Sequence, residues 1–223
     1  MGDLEIVRHP RARRSRLSID PATGRARLVV PTRAALKPAL AWAAGKAEWL
    51  AAQRAALPQP RPFVPGAVLP VADESLTIAW REGPRRAVQR EGDRIDCEGP
   101  VETLPRRIEA WLKRRALDLL THETGEFAAK AGVAVAKVAI GDAKGRWGSC
   151  ASTGVIRYSW RLILAPGFVR RATVAHEVAH RVHMNHGAAF HALVARLLGD
   201  DPAPAHAWLR THGAALHWFG RSS

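Results

Sequence analysis

The spacing of apolar residues predicts short strands mixed with amphipathic helices along the whole chain. Residues 16–30 alternate between apolar and polar positions on both sides of a Pro-Ala-Thr-Gly run at 21–24, which predicts a hairpin. Apolar residues recur at helical spacing over 33–57 and again over 102–131, so each stretch is predicted to form one helix. Three shorter β-like pieces lie between these helices, at 75–80, 86–90 and 94–97.

The chain after Gly132, a residue that favours a helix end, continues with strands and then helices. A strand is predicted at 133–140, and a hairpin is predicted at 146–164 around a Ser-Thr-Gly turn. Helical spacing returns after Pro166-Gly167. It predicts three further helices, at 168–184, 188–198 and 202–218.

These elements predict an α+β fold. The sequence favours a β-rich N-terminal part with one long helix over residues 1–100, and a C-terminal part with a small sheet and several helices over 101–223. The boundary is soft, and a single domain is the alternative. A chain of 223 residues with 47% apolar residues has enough material to bury a core in either arrangement.

Charge and cysteine content narrow the function classes. The formal net charge of +14 suits a nucleic-acid or other polyanionic partner, because a cationic field attracts phosphates. Arginine outnumbers lysine by 28 to 6, however, and biased codon usage alone can produce such a composition. The two cysteines, Cys97 and Cys150, form no C-x-x-C pair, so neither a disulfide framework nor a thiolate zinc site is expected.

The cellular location is predicted from what the chain does not contain. The first residues are followed by four arginines between positions 8 and 14 and by no apolar segment of the kind that a signal peptide carries. The most apolar helical stretch, 38–57, is interrupted by Lys46, Glu48 and Arg54, which argues against a membrane span. We therefore expect a cytoplasmic protein without a membrane partner.

One motif carries the candidate chemistry: His176-Glu177-Val178-Ala179-His180. Residues four apart lie above one another on a helix, so His176 and His180 can direct two imidazoles at one zinc ion. Glu177 is rotated by about 100° from His176, which suits a general base that takes a proton from a water on the metal. A helix this apolar would bury two histidines and a glutamate at a cost of several kcal/mol without such a partner.

A third zinc ligand is required, and two histidines are candidates. His183 remains on the same helix face but can join only if the helix ends early, since its Cα would otherwise lie about 10 Å along the axis from that of His176. His186 can return to the ion after a turn at Met184-Asn185. We favour His186 and keep His183 as the alternative.

Two common classes of zinc site do not fit this sequence. A thermolysin-like site needs a downstream glutamate, and Glu177 is the last glutamate in the chain. Metzincins share the spacing from His176 to His186 but carry glycine where this chain has His183, and their later Met-turn has no counterpart beyond Met184. Because catalytic zinc sites have three protein ligands, we expect the fourth position on the zinc to stay open for water.

Together with this motif, several runs resemble the YgjP-like metallopeptidase family in order and spacing. They are Arg146-Trp147-Gly148-Ser149-Cys150, Trp160-Arg161-Leu162-Ile163-Leu164-Ala165-Pro166, and Met184-Asn185-His186 with Phe190. The resemblance, which is weaker over the rest of the chain, implies a zincin-like C-terminal part. It also implies that His176, His180 and His186 bind zinc, that Glu177 is the catalytic acid and base, and that the SprT and WLM peptidases are related.

The chain departs from the family pattern in two places near the motif. His183 stands where the family often has an acidic residue, and the run 188–191 replaces a segment that usually carries Pro and Trp. Neither departure involves the expected ligands. The motif therefore still implies one zinc ion per chain.

Residues of the predicted hairpin are candidates for substrate contact. Arg146 and Tyr158 are candidates for stabilising the oxyanion, and Trp147 for lining the edge where an extended peptide adds as a strand. The alternative for Trp147 and for Trp160 is core packing, which also suits Cys150.

The leading hypothesis is a zinc-dependent metallopeptidase that acts on a peptide or protein substrate. One alternative, suggested by the charge and by the SprT resemblance, is a DNA-associated protease that acts on nucleic-acid-bound proteins. Another is a non-enzymatic basic binding module in which zinc is structural. The oligomeric state, the cleavage preference and the identity of the substrate stay open.

Overall fold

The computed structural model describes residues 4–84 and 86–222. Residues 1–3 and 85 of the predicted N-terminal part and residue 223 of the predicted C-terminal part lie outside the described residues. The described residues form a mixed α+β protein with ten strands in three small sheets and six α-helices. The strands are β1 (Leu4–His9), β2 (Arg16–Ile19), β3 (Ala26–Pro31), β4 (Val68–Val71), β5 (Glu74–Arg81), β6 (Gln89–Glu91), β7 (Arg94–Glu98), β8 (Lys137–Gly141), β9 (Gly148–Cys150) and β10 (Val155–Ser159). The helices are α1 (Leu36–Ala44), α2 (Ala47–Ala55), α3 (Leu104–Ala131), α4 (Gly167–Ala179), α5 (Ala188–Leu198) and α6 (Ala203–Leu216).

The chain divides into two compact units, Met1–Gln59 and Pro60–Ser223. In the N-terminal unit the predicted hairpin is confirmed, because β2 and β3 pair antiparallel across a turn that Gly24 makes at a φ of 73°. Strand β1, which the sequence did not predict, joins β3 in parallel and gives the order β1-β3-β2. The buried side chains of this unit's core come from β3 and α1: Leu28, Val30, Ala39 and Ala43.

The prediction of one long helix over 33–57 was wrong. The chain forms α1 and α2 instead, and the break falls at Gly45 and Lys46. Glycine lowers helix stability by about 1 kcal/mol relative to alanine, which favours a break at this position. Helix α1 buries Ala39 and Ala43, whereas α2 buries no residue, so packing does not hold the two stretches in one continuous helix.

The C-terminal unit builds one core from two sheets and four helices. Its four-stranded sheet has the order β4-β5-β7-β6, and its three-stranded sheet has the order β8-β10-β9. The predicted helix over 102–131 is confirmed as α3, preceded by a 3-10 turn at Val101–Thr103 and ended by Gly132 in the left-handed conformation. Strand β10 stops at Ser159, where the sequence predicted a strand up to 164, because Trp160–Leu164 forms a buried 3-10 helix.

The division between units falls at a different place from the boundary expected near residue 100. Apolar side chains of β4, β5 and β7 share one continuous core with α3 and the later helices. Ile78 and Ile95 are as buried as Leu104 and Ile108 on α3. These strands therefore belong to the same compact unit as the C-terminal helices, and only residues up to Gln59 form a core of their own.

Charged side chains fix the start of α4, the helix that carries the motif. Asp73 lies in the tight β4–β5 turn at a φ of 71° and accepts a hydrogen bond of 2.5 Å from the backbone N–H of Gly167. Arg170 donates to Glu123 of α3 at 3.0 Å, and both side chains are buried. Within the described chain, no helix is both long enough and apolar enough to cross a bilayer.

Candidate metal centre

Helix α4 ends as soon as the motif is complete. The sequence predicted a helix up to 184, but the last helical residue is Ala179 and His180 is the C-cap. The backbone N–H groups of Val182 and His183 both bond back to the carbonyl of Ala179, at 3.0 and 2.9 Å, which closes the helix end. The chain then turns through residues 180–187 and enters α5 at Ala188.

This early end brings three histidines together. The nearest ring nitrogens of His176, His180 and His186 all lie within 4.8 Å of one another. Nε2 of His186 is 3.2 Å from Nε2 of His176. Two nitrogens bound to one zinc at about 2.1 Å and at a tetrahedral angle would be about 3.4 Å apart, so this pair already has the spacing of a shared ligand set.

His183 contributes its backbone to the cluster. Nδ1 of His180 lies 3.0 Å from the carbonyl oxygen of His183. A carbonyl only accepts, so the proton must be on Nδ1 of His180, which leaves a lone pair on Nε2 for a metal. The imidazole of His183 is not a member of the three-histidine group.

Phe190 forms an apolar wall behind all three imidazoles. It lies in the first turn of α5 and is fully buried. Its ring centroid is 4.8 Å from that of His176, 4.5 Å from that of His180 and 4.8 Å from that of His186. Packing against one rigid ring restricts the rotamers of the three side chains and so preorganises the cluster.

Burial also keeps the imidazoles neutral. Burial, as the largest cause, and repulsion of a positive charge by the neighbouring histidines together lower the pKa of His176 to about 4. Burial lowers the pKa of His180 as well. Neutral imidazole is the form that binds a metal, so both side chains are in that form at neutral pH.

Glu177 is the buried carboxyl of the site. Only 5% of the residue is exposed, and burial raises its pKa to about 7, against the opposing field of Arg146. Its side chain lies directly against the backbone of Gly148 on β9. A Cβ added at Gly148 would come within 2.6 Å of Cγ and 2.7 Å of Cδ of Glu177, so the close approach requires glycine.

Strand β9 lies at the edge of its sheet and packs against α4. The backbone N–H of Ser159 donates to the carbonyl oxygen of Trp147 at 2.8 Å, and the backbone N–H of Ala151 donates to the carbonyl oxygen of Val155 at 2.9 Å. Hydrogen-bonded and non-bonded pairs alternate along an antiparallel ladder, so the backbone groups of Gly148 and Cys150 point away from β10. They form a free edge beside the helix that holds Glu177.

The three candidate substrate residues have different surroundings. Arg146 is exposed and acts electrostatically on Glu177. Trp147 is partly buried and stacks on His217, with ring centroids 5.1 Å apart. Tyr158 is 1% exposed, its hydroxyl lies 3.1 Å from Oγ1 of Thr124, and burial raises its pKa. The geometry thus leaves Arg146 free to meet a ligand, whereas Trp147 and Tyr158 have packing partners.

Two residues near the cluster were not singled out from the sequence. His206 of α6 places its ring centroid 6.3 Å from that of His176, and no spacing rule links positions thirty residues apart. Arg181 donates to the carbonyls of Ala134 and Ser152, at 3.2 and 3.1 Å, and so ties the end of α4 to the segments flanking β8 and β10. Only the tertiary structure reveals either role.

Comparison with known proteins adds a family to this geometry. A search of curated proteins and a search of solved structures each returned no match. The family model described as the YgjP-like metallopeptidase domain matches residues 13–212 of the 223. That span includes the three-histidine cluster, Glu177, Gly148 and most of each unit of the chain. The chain therefore belongs to the YgjP-like metallopeptidase domain family.

Proposed function

We propose that this protein is a zinc-dependent metallopeptidase in which Glu177 is the general base. The observation that carries the proposal is the cluster of His176, His180 and His186, whose ring nitrogens lie within 4.8 Å of one another beside a buried glutamate. The family supplies the reaction class, because it is a metallopeptidase domain. The metal's identity, the ligands and the base are the finer assignments that we propose.

The donor set favours zinc over the other common ions. Three neutral imidazoles suit zinc, whereas magnesium and calcium prefer oxygen ligands. Among the described residues, no fourth histidine, cysteine or carboxylate completes the group. Three protein ligands and one open position are typical of catalytic zinc, and four protein ligands are typical of structural zinc. This difference supports a zincin-like catalytic site over a structural zinc in a binding module.

The chain's own residues supply the proton transfers. A zinc ion held by the three imidazoles would contribute Lewis acidity, which polarises a carbonyl and lowers the pKa of water to about 7. Glu177, whose own pKa is raised to about 7, is matched to accept the proton of the attacking water near neutral pH. Glu177 then returns that proton to the nitrogen of the leaving amine, so that the peptide bond breaks without a charged amide leaving group.

An extended peptide is the substrate form that the site favours. The outward backbone groups of Gly148 and Cys150 can pair with a peptide added antiparallel or parallel to β9. Arg146, exposed and close enough to act on Glu177, is our candidate for contacting the carbonyl oxygen as negative charge develops on it. We assign Trp147 and Tyr158 to holding β9 and β10 in place, since both have packing partners.

Metal analysis combined with a mixed-peptide cleavage assay tests this proposal. We expect about one zinc per chain in the wild-type protein. His176→Ala, His180→Ala and His186→Ala should each lose zinc and hydrolysis, because two imidazoles hold the ion poorly. Glu177→Gln should keep the zinc and lose hydrolysis by at least about 100-fold, because it removes the general base.

His183→Ala is the matched control for the three ligand variants. It removes a nearby imidazole but keeps the backbone carbonyl that His180 contacts, so zinc content should be unchanged. Loss of zinc in His183→Ala with retention in His186→Ala would reverse the ligand assignment. Full hydrolysis in Glu177→Gln would rule out the proposed base, whatever the zinc content.

A further inference from the structure

The N-terminal unit carries a large share of the protein's positive charge. Residues 4–59 contain eleven arginines and lysines against three carboxylates, Glu5, Asp20 and Glu48. Two of these carboxylates already have partners: Glu5 pairs with Arg27 at 3.2 Å, and Asp20 bonds within its own turn. Most of the arginines in this unit therefore have no neighbouring carboxylate to neutralise their charge, and the unit presents a positive field to the solvent.

Four of those arginines are close in sequence, three in the β1–β2 connection and one at the first residue of β2. Arg11, Arg13, Arg14 and Arg16 are all exposed. None of the four forms an ion pair within the part of the chain that the structure describes. An anion bound beside these arginines would relieve the repulsion between their like charges, so the cluster favours an anionic ligand.

A groove runs beside this arginine cluster inside the same unit. Its volume is about 730 Å³, and its lining includes His9, Arg14, Arg16, Leu17, Val29 and Trp42. We call it the arginine groove. Sites that hold a small molecule or a cofactor occupy roughly 300–1,000 Å³, so the groove has room for a base together with its sugar and phosphate.

Trp42 gives the arginine groove an aromatic wall. It lies on α1 and is 44% exposed, although its neighbours Ala39 and Ala43 are buried in the core. Trp42 is not a member of that core. An exposed indole beside cationic side chains is the arrangement on which unpaired bases stack while their phosphates meet arginine.

We propose that the arginine groove binds single-stranded nucleic acid. Phosphates of the strand lie against Arg14 and Arg16, and a base stacks on the indole of Trp42. A duplex fits less well, because its bases are stacked on one another and show no free face to an indole. An acidic peptide would satisfy the arginines but leave Trp42 without a flat partner. This site is distinct from the candidate metal centre and does not depend on peptidase activity.

Fluorescence anisotropy with labelled oligothymidine and oligouridine of about 15 nucleotides tests the proposal on the full-length protein. We expect binding at about 50 mM salt that weakens steeply towards about 200 mM. Trp42→Ala should weaken binding on the order of tenfold, because one stacked base is lost. Arg14→Ala combined with Arg16→Ala should weaken binding and lower the slope of log K against log salt by about 1.4, the value for two lost phosphate contacts.

Matched controls come from the same unit. Trp49→Ala removes an indole of similar exposure, 40%, that does not line the arginine groove. Arg33→Ala combined with Arg54→Ala removes the same charge from exposed positions elsewhere. Both controls should bind nearly as the wild type does, and circular dichroism of every variant should match that of the wild type.

Four outcomes would overturn the inference. The first is the absence of binding to either oligonucleotide at low salt. The second is that the control variant, Arg33→Ala with Arg54→Ala, weakens binding as much as Arg14→Ala with Arg16→Ala does. That result would indicate an effect of overall charge and not of one site. The third is binding of duplex as tight as that of the single strand, and the fourth is displacement of the oligonucleotide by polyglutamate at equal charge. A difference between oligothymidine and oligouridine would show whether DNA or RNA is preferred.

Discussion

Glu177 and Gly148 share a tight contact at the candidate metal centre. The carboxylate of Glu177 lies against the backbone of β9, so close that a Cβ at Gly148 would force the Glu177 side chain to move. The same contact excludes water from the carboxyl and contributes to the burial that raises its pKa. Gly148 is therefore a positioning residue for the proposed general base.

Gly148→Ala should lower hydrolysis about 100-fold while zinc content stays near one per chain. The added Cβ would displace Glu177 by an ångström or so, and errors of that size in a catalytic group are costly. Gly145→Ala is the matched control, because a Cβ there meets nothing within 4 Å. Wild-type activity in Gly148→Ala would show that Glu177 does not need this position.

The raised pKa of Glu177 also predicts a pH dependence of stability in the metal-free protein. Burial raises this pKa from 4.5 to about 7, so the folded state holds a proton that the unfolded state has lost between these values. The free energy of unfolding contributed by Glu177 is therefore complete below pH 4.5 and is lost as pH rises towards 7. A shift of this size corresponds to about 3 kcal/mol.

Glu177→Gln removes this titration and keeps the shape of the side chain. In the presence of a chelator, we expect the variant to gain about 3 kcal/mol over the wild type as pH rises from about 4.5 to 7. Urea unfolding of both proteins across this pH range measures the difference between their free energies of unfolding. The histidines titrate in both proteins, so their contributions cancel in this difference. A difference that stays constant with pH would contradict the burial argument.

At the scale of elements, two devices position α4. Its start is held by Asp73 and by the buried pair of Arg170 and Glu123, and burial raises the pKa of Glu123. Its end is closed at Ala179 and tied by Arg181 to the carbonyls of Ala134 and Ser152. The helix therefore presents His176 and Glu177 from a support fixed at both ends, as a preorganised site requires.

The buried ion pair gives a prediction about this support. Arg170→Ala should lower the free energy of unfolding by about 3–5 kcal/mol, because it leaves Glu123 charged and buried without its main partner. Arg170→Met combined with Glu123→Leu should cost less than the single change, since no charge remains to be buried. Urea unfolding measures both effects.

Arg171→Ala serves as the comparison for the ion pair. Its side chain is 37% exposed and pairs with Glu126, whose side chain is 39% exposed, so the loss should be below about 1 kcal/mol. If the double variant of Arg170 and Glu123 were less stable than Arg170→Ala, the argument from buried charge would be wrong. The ion pair between Arg170 and Glu123 would then stabilise α4 by more than the cost of burying its two charges.

At the scale of the whole molecule, the two units contain separate cores. The N-terminal core comes from β3 and α1, and the C-terminal core comes from Phe63 to Phe219. Positive charge is denser in the N-terminal unit, where residues 4–59 contain eleven arginines and lysines against three carboxylates. The candidate metal centre and the arginine groove lie in different units, so our two proposals can fail or hold independently.

Local patterns in the sequence determined much of this molecule. The hairpin of β2 and β3 and helices α3 and α5 follow from turn residues and from periodicity, which are properties of neighbouring positions. The motif at 176–180 also determined its own geometry, because a helix brings residues four apart together. The choice of His186 depended on a turn at Met184-Asn185 and on the family resemblance, and the structure brings that residue to the other two.

Tertiary contacts decided the rest. The break at Gly45, the early end of α4 and the placement of β4–β7 in the C-terminal core depend on which faces find partners. The packing of Tyr158 on Thr124 and of Glu177 on Gly148 joins residues about thirty positions apart, where periodicity carries no information. Burial of Glu177 arises from those contacts, so the sequence determined which groups are present, and the fold decided their protonation and their neighbours.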